Sequence, residues 1–520
     1  MLTLRRILRD YQDAGSVNSL IALWGFVDDH AFVTKAGHLG LVYRLTGADF
    51  ECLDHAQRRD IVHRFEAALR LLDDSCRVYQ YVCKRRIDPI TAPPCHHPIA
   101  ETAIRRHVEY LNDRRSELYE IALYLVLVYE GVGQHRRTST RLQGLWREPG
   151  RALRAWLSTE TTLDFLGSEL DRAIARLYQK AAAFEVVLAD SVRPTRLSKA
   201  DAFRFFRRLV NYVPHKAAGA SLQYDTHVDY FVADSSIECH RGHLDVDGVH
   251  VKVLTMKEPP SATFAHVLED LYTVPGEFIA CLEWRRLATD RIRREIHSRR
   301  RHFFNKRVSL VNYVAPDNRP DEMLTNPSAD ATVTHLGDAL TEVDVHGHFF
   351  GECSLSLVLF DREPGAVERT AAEAIKVLAA RDGTLIEESY NLLNAWLAVI
   401  PGNSAHNLRR LALLETNAAD LSFLFTLDSG QRRCPHLNRD ALAVLETRHQ
   451  TPYYLTLHVQ DVGHTLVAGA TGSGKTVLSI FAVLHAQQYD PITVVFDLGH
   501  SYRTLATRRV QRRIGPLAIR

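Results

Sequence analysis

Eight consecutive residues, Gly469-Ala-Thr-Gly-Ser-Gly-Lys-Thr476, constrain this 520-residue chain more than any other feature. They satisfy the pattern of a glycine, four residues and then Gly-Lys-Thr, at positions 469, 474, 475 and 476. The residue types explain the spacing. Glycine has no Cβ, so Gly469, Gly472 and Gly474 let successive main-chain N–H groups turn inward and approach an anion closely. Ala470, Thr471 and Ser473 complete that cradle. Lys475 can bring an ammonium to the β- and γ-phosphates of ATP, and Thr476 can offer its hydroxyl to Mg²⁺. A helix starting here would direct its positive end at the same anion.

The flanks give the strand, loop and helix order that such a P-loop needs. His464–Ala468 is short and apolar and predicts a strand, while Val477–Gln487 carries Leu478, Phe481, Ala482 and His485 at helical spacing. Pro491–Asp497 then predicts a second buried strand, closing on Asp497. That aspartate follows Lys475 by only 22 positions, so it reads as structural or nucleoside-facing rather than as the Mg²⁺-holding Walker B carboxylate.

Bulk composition narrows the class without naming a function. Hydrophobic residues make up 46% and charged residues 24%, ordinary values for globular domains, and the length predicts two or three of them. Net charge is +2, from 64 basic and 62 acidic residues, so no global field points to nucleic acid or an anionic membrane. The eight cysteines include no Cys-x-x-Cys pair and read as free thiols of a reducing cytosol. Cys95-His96-His97 and Cys434 with His436 read as loop residues, with metal binding the lesser alternative. The 26 histidines contain no His-Glu-x-x-His, and no Gly-x-Ser-x-Gly elbow occurs. Met1–Asp10 lacks a signal-peptide core, and the strongest apolar run, Ile121–Tyr129, falls far short of the ~20 residues of a membrane helix.

The remainder reads as mixed α+β. His30–Thr34 and Leu39–Leu45 predict a hairpin, His55–Leu72 a helix, Arg77–Cys83 and Ile121–Val128 strands, and Leu163–Tyr178 a helix. Ser198 with Asp201 marks another helix start. Cys353–Phe360, Pro364–Ala380 and Thr384–Glu388 predict a β-α-β unit. A helix is expected over Trp284–Phe304, with nine arginines and one lysine between Arg285 and Arg307 and an apolar stripe of Trp284, Leu287, Ile292 and Ile296. It suits a solvated face or, less commonly, nucleic acid or a partner. Tyr453 and Tyr454 suit strand packing or stacking on a base. The polar stretch Asp428–Arg439 predicts the division: 1–430 as an α+β region, with possible subdivision near 255, and 431–520 as the incomplete beginning of a RecA-like α/β P-loop domain.

Several stretches resemble the conjugal transfer ATPases of the CagE, TrbE and VirB type (VirB4-like). They are Trp24-Gly-Phe-Val-Asp-Asp with its hairpin, the basic helix, Asn394-Ala-Trp-Leu-Ala-Val-Ile-Pro-Gly-Asn403, Val462–Thr476 and Phe496-Asp-Leu-Gly-His-Ser-Tyr502. The resemblance implies an ATPase energising pilus assembly or substrate transfer. It would be cytoplasmic, peripheral on the inner membrane through partners in the secretion machine, and hexameric. The N-terminal region would make assembly contacts, and Lys475 and Thr476 would take the Walker A roles. Against that pattern the chain reads as truncated after its second P-loop strand, because Walker B, the catalytic Glu and the arginine finger are not found. The arginine-rich stretch Arg508–Arg520 suggests a frameshift or early stop, or else a basic tail that touches nucleic acid. A cut sheet would leave Leu466, Val467, Val494 and Val495 exposed, with low solubility or partial disorder after about residue 490. The alternative function is a non-hydrolysing assembly scaffold with a remnant P-loop.

Overall fold

The computed structural model describes residues 16–51, 53–131, 159–222, 227–307, 327–497, 499–503 and 505, without the side chains of 159–168, 302–307 and 327–331. Cys52 and the arginine-rich stretch 508–520 lie outside the described residues. The chain divides into two compact units, one of residues 1–84 and 121–426, the other of residues 85–120 and 427–520. The linear division at 430/431 does not contain this interleaving. Residues 85–120 join the second unit although they lie far upstream.

The first unit begins with the predicted hairpin. β1 (Leu23–Phe26), β2 (Ala31–Thr34) and β3 (Leu39–Leu45) form an antiparallel meander, and Gly37 makes the β2–β3 turn at φ +81°. The helix α1 (His55–Arg70) starts at a capping box. Asp54 Oδ1 accepts from Gln57 N at 2.8 Å, and Gln57 Oε1 accepts from Asp54 N at 2.9 Å. β4 (Cys76–Arg86) is buried almost without alternation, as a central strand covered on both faces must be. In the second unit lies α2 (Pro98–Asp113), after which β5 (Tyr119–Tyr129) returns the chain to the sheet. α3 (Thr159–Leu188) is longer than its apolar spacing predicts, and α4 (Lys199–Val210) is capped by Ser198, whose Oγ accepts from Asp201 N at 3.2 Å.

Three further antiparallel strands follow, β6 (Ile237–Cys239), β7 (Leu244–Val246) and β8 (Val249–Glu258). Then come β9 (Glu277–Arg286), α5 (Thr289–Arg307), α6 (Pro327–Asp344) and β10 (Phe350–Asp361). The main path of the sheet, thirteen-stranded among the described residues, is β1-β2-β3-β5-β4-β9-β10-β8-β7-β6. Trp284 corrects one expectation: it belongs to β9, not to the basic helix, because β9 pairs on both sides, with Trp284 opposite Val78 and opposite Cys353. Two ladders of main-chain hydrogen bonds outweigh a side-chain spacing that fits a helix. The basic helix starts five residues later, at Thr289, and its Ile292 and Ile296 pack on Leu340 of α6.

The β-α-β prediction holds in a modified form. β10, α7 (Pro364–Ala379) and β11 (Thr384–Glu387) follow one another, but β10 and β11 each pair antiparallel with β8. The two strands therefore run parallel with β8 between them, a split unit. α8 (Leu392–Ala398) then buries Trp396 in the main core with Tyr212 and Phe360, and Trp396 Nε1 donates to Tyr212 Oη at 2.6 Å.

The second unit is smaller. Ile87, Leu111 and Leu118 form its apolar cluster, with Ile90 and Val444 against it. β12 (Ala443–Glu446) and β13 (Pro452–Leu455) make a hairpin there, and Arg114 donates to both oxygens of Glu446, at 2.6 and 3.1 Å. α9 (Lys475–Ala486) completes it. The two strands expected around α9 are a correction. Residues 464–468 and 492–496 join no ladder, and Leu466 is 91%, Ile492 97%, Val494 71% and Phe496 85% exposed. Parallel strands need neighbours on both edges and cover on both faces, and no described segment supplies them here. Exposure at Leu466, Val467, Val494 and Val495 matches the expectation for an unpartnered sheet. The described fold is mixed α+β around a large antiparallel sheet, and a RecA-like parallel sheet is not present among the described residues.

Candidate nucleotide-binding loop

The sequence places the start of α9 at the end of the glycine loop, and the backbone does so too. Gly474 is the N-cap at φ +87° and Gly472 stands at φ +83°. Both angles are in the left-handed region where a Cβ is penalised, and neither glycine has an atom within 4 Å of where a Cβ would stand. Backbone conformation, not crowding, therefore demands glycine at these two positions. Ser473 N donates to Ala470 O at 3.2 Å within the loop, and Leu478 N donates to Gly474 O at 3.0 Å as the helix opens. The first turn leaves main-chain N–H groups without helical partners, the usual supply of anion donors.

Lys475 folds over this loop. Its Nζ donates to Gly469 O at 2.9 Å and to Ala470 O at 2.7 Å, which closes the segment on itself. Gly469, Ala470, Thr471, Gly472, Ser473, Gly474 and Thr476 are exposed and Lys475 is half-buried. Carbonyl oxygens are neutral partners for an ammonium, so an anion of higher charge could compete for the same proton donors. The helix is fixed from its other side, where Phe481 and His485 lie against His107 of α2, ring centres 5.0 and 5.5 Å away. Burial lowers the His485 pKa below the ordinary imidazole value, which keeps that contact uncharged near neutrality.

Asp497 accepts hydrogen bonds from Gly499 N at 3.0 Å and Tyr502 N at 2.8 Å, the arrangement of a turn-forming aspartate. Tyr454 lies on β13 under the Arg432 guanidinium, 4.9 Å from its ring centre, so packing accounts for it. His97 Nδ1 accepts from Ala100 N at 3.4 Å and caps α2, while His436 stacks on His458 at 5.1 Å. One cluster gives no signal in the sequence. Glu66, His348 and Glu415 hold their potential ligand atoms within 4.8 Å of one another, and no other such trio occurs among the described residues. Arg70 already bridges the two carboxylates, at 2.6 Å to Glu66 and 3.2 Å to Glu415, so the cluster is an ion network. Positions so far apart in the chain share no local pattern. Among the described residues no helix is long and apolar enough to cross a membrane.

Comparison with known proteins places the chain. The profile for the type IV secretion system ATPase VirB4/TrbE, N-terminal domain, matches residues 30–136. Conjugal transfer protein TrbE of Rhizobium radiobacter is 24% identical over 524 aligned positions, covering 96% of this chain and 61% of that protein. The chain belongs to the VirB4/TrbE family of type IV secretion ATPases. Type IV secretion system protein virB4 of Bartonella henselae is 28% identical over 241 residues, 46% of this chain and 28% of the relative. Type IV secretion system protein PtlC of Bordetella pertussis is 27% identical over 180 residues, 32% of this chain and 21% of the relative. The aligned regions therefore span from 21% to 61% of the length of these curated relatives. The stretch matched by the N-terminal domain profile runs through β2, β3, α1, β4, α2 and β5, and these four strands all belong to the large antiparallel sheet.

Proposed function

We propose that this chain is an ATP-binding component of a type IV secretion or conjugal transfer system, and that Gly469–Thr476 holds the nucleotide. The observation that carries the reading is Lys475 lying over the loop, its ammonium hydrogen-bonded to two loop carbonyls. Lys475 would hold the β- and γ-phosphates with its ammonium, the main-chain N–H groups of Gly472 to Thr476 would supply further donors to the phosphate oxygens, and Thr476 would offer its hydroxyl to Mg²⁺. Bound Mg²⁺ would neutralise phosphate charge. Family membership supports a place on the inner-membrane face of a secretion machine, held by its components, and a hexameric assembly. The proposed chemistry of this chain is binding. Hydrolysis needs carboxylates that hold the metal and orient water, and Asp497 engages its own turn instead.

A scaffold that does not use nucleotide is the second reading, favoured by the exposed, unpaired apolar residues beside the loop. Melting curves separate the two. At a hundredfold excess over Kd, Mg-ATP should stabilise the unit by about 2.7 kcal/mol and raise its Tm by several degrees. Lys475→Ala should remove the rise while leaving the Tm without nucleotide unchanged, since the lysine hydrogen-bonds to exposed loop carbonyls. A curve that Mg-ATP does not move in either protein establishes the scaffold.

A further inference from the structure

The basic helix α5 is unevenly neutralised. Arg293 pairs with Asp344 of α6 at 2.7 Å, Arg299 pairs with Glu295 at 2.7 Å, and Arg300 lies alongside Gly337 of α6. Among the described residues no carboxylate lies within ion-pair reach of Arg291, Arg294 or Arg301, and all three are exposed. Their separations of three and ten residues place them on one helical stripe about 15 Å long. This stripe faces away from Ile292 and Ile296, which are buried on Leu340. Two carboxylates border that side, Asp290 at the start of the helix, 3.8 Å from Arg293, and Glu295, one turn after Arg291 and already paired with Arg299.

We propose that this stripe binds the sugar-phosphate backbone of nucleic acid without reading sequence. Arginine suits phosphate because its planar fork donates two parallel hydrogen bonds and stays charged. The alternative of an anionic membrane fits less well. An interfacial helix inserts an apolar face, and the apolar face of α5 is already committed to α6. The charges lie on a helix packed within the first unit, so the surface is formed before any partner arrives.

The test measures fluorescence anisotropy of a labelled 20-base-pair DNA duplex with the full chain at several salt concentrations. Arg291→Gln/Arg294→Gln/Arg301→Gln is compared with a control of equal net charge, Arg172→Gln/Arg176→Gln/Arg369→Gln. The α5 triple variant is expected to bind at least tenfold more weakly, with the log–log salt slope reduced by roughly 2–3, while the control stays within twofold of wild type. Circular dichroism and Tm of the α5 variant should match wild type, because the three arginines have no internal carboxylate to lose. Absence of duplex binding overturns the proposal, as does equal weakening in both variants. Retention by vesicles of phosphatidylglycerol, or by polyglutamate, that depends on the same arginines without DNA binding overturns it in favour of a membrane or an acidic protein.

Discussion

Arg77→Met is expected to destabilise the first unit by roughly 3–5 kcal/mol, the usual consequence of leaving buried carboxylates without their counter-charge. Arg77 is 2% exposed on β4. Its Nε donates to Glu130 Oε1 at 2.7 Å, its Nη2 to Glu130 Oε2 at 3.4 Å, and its Nη1 to Glu283 of β9. Burial alone would raise the Glu130 pKa. The charge and hydrogen bonds of Arg77, joined by Arg285 and His38, win and hold it below the ordinary carboxylate value. The sign follows from linkage. A carboxylate with a lowered folded pKa stabilises the fold above its unfolded pKa, and that contribution is lost as pH falls through the folded value. In Arg77→Met the balance at Glu130 reverts to desolvation, so the gap from wild type should be widest near pH 7.5 and narrower at pH 5. Urea midpoints at the two pH values check both points. Arg77→Met/Glu130→Gln/Glu283→Gln should recover much of the loss, because neutral groups are cheaper to bury. A single-variant effect below 1 kcal/mol would contradict the assignment.

Trp396→Ala should cost a comparable 3–5 kcal/mol. The indole is 1% exposed within the main cluster, where Tyr212 stacks on Phe360 with ring centres 4.5 Å apart. Removing it opens a cavity under α8 and takes away the donor to Tyr212 Oη. Trp396→Phe keeps most of the apolar volume and should cost about 1–2 kcal/mol, mainly the lost hydrogen bond. Equal effects of the two substitutions in chemical denaturation would show that packing does not set the stability here.

These two sites mark what the sequence reveals and what it hides. Asn394–Asn403 stands out in the sequence as a family resemblance, and the structure gives it a structural task. Asn403 Oδ1 accepts from Ala22 N at 2.7 Å and Asn403 Nδ2 donates to Leu20 O at 3.0 Å, tying the chain just before β1 to the end of this stretch. Caps and the first hairpin are legible because Asp54 with Gln57, Ser198 with Asp201, and Gly37 act within a few residues. The sheet order is not legible. β4 lies between β5 and β9, and the charges of Arg77, Glu130 and Glu283 meet across separations of 53 and 206 residues. Trp284 fits a helical stripe by spacing, yet ladders on both sides make it a strand residue. Around the loop the result divides. The glycine conformations and the helix after them follow from local chemistry, whereas strands at 464–468 and 492–496 would need partners that sequence periodicity cannot supply.

Amide hydrogen exchange with and without Mg-ATP tests the central claim most directly. If the glycine loop cradles a triphosphate, exchange at Gly472, Ser473, Gly474, Lys475 and Thr476 slows when Mg-ATP is added, and Lys475→Ala abolishes the slowing. Unchanged exchange across 469–476 at saturating Mg-ATP, with wild-type and Lys475→Ala proteins alike, would contradict it.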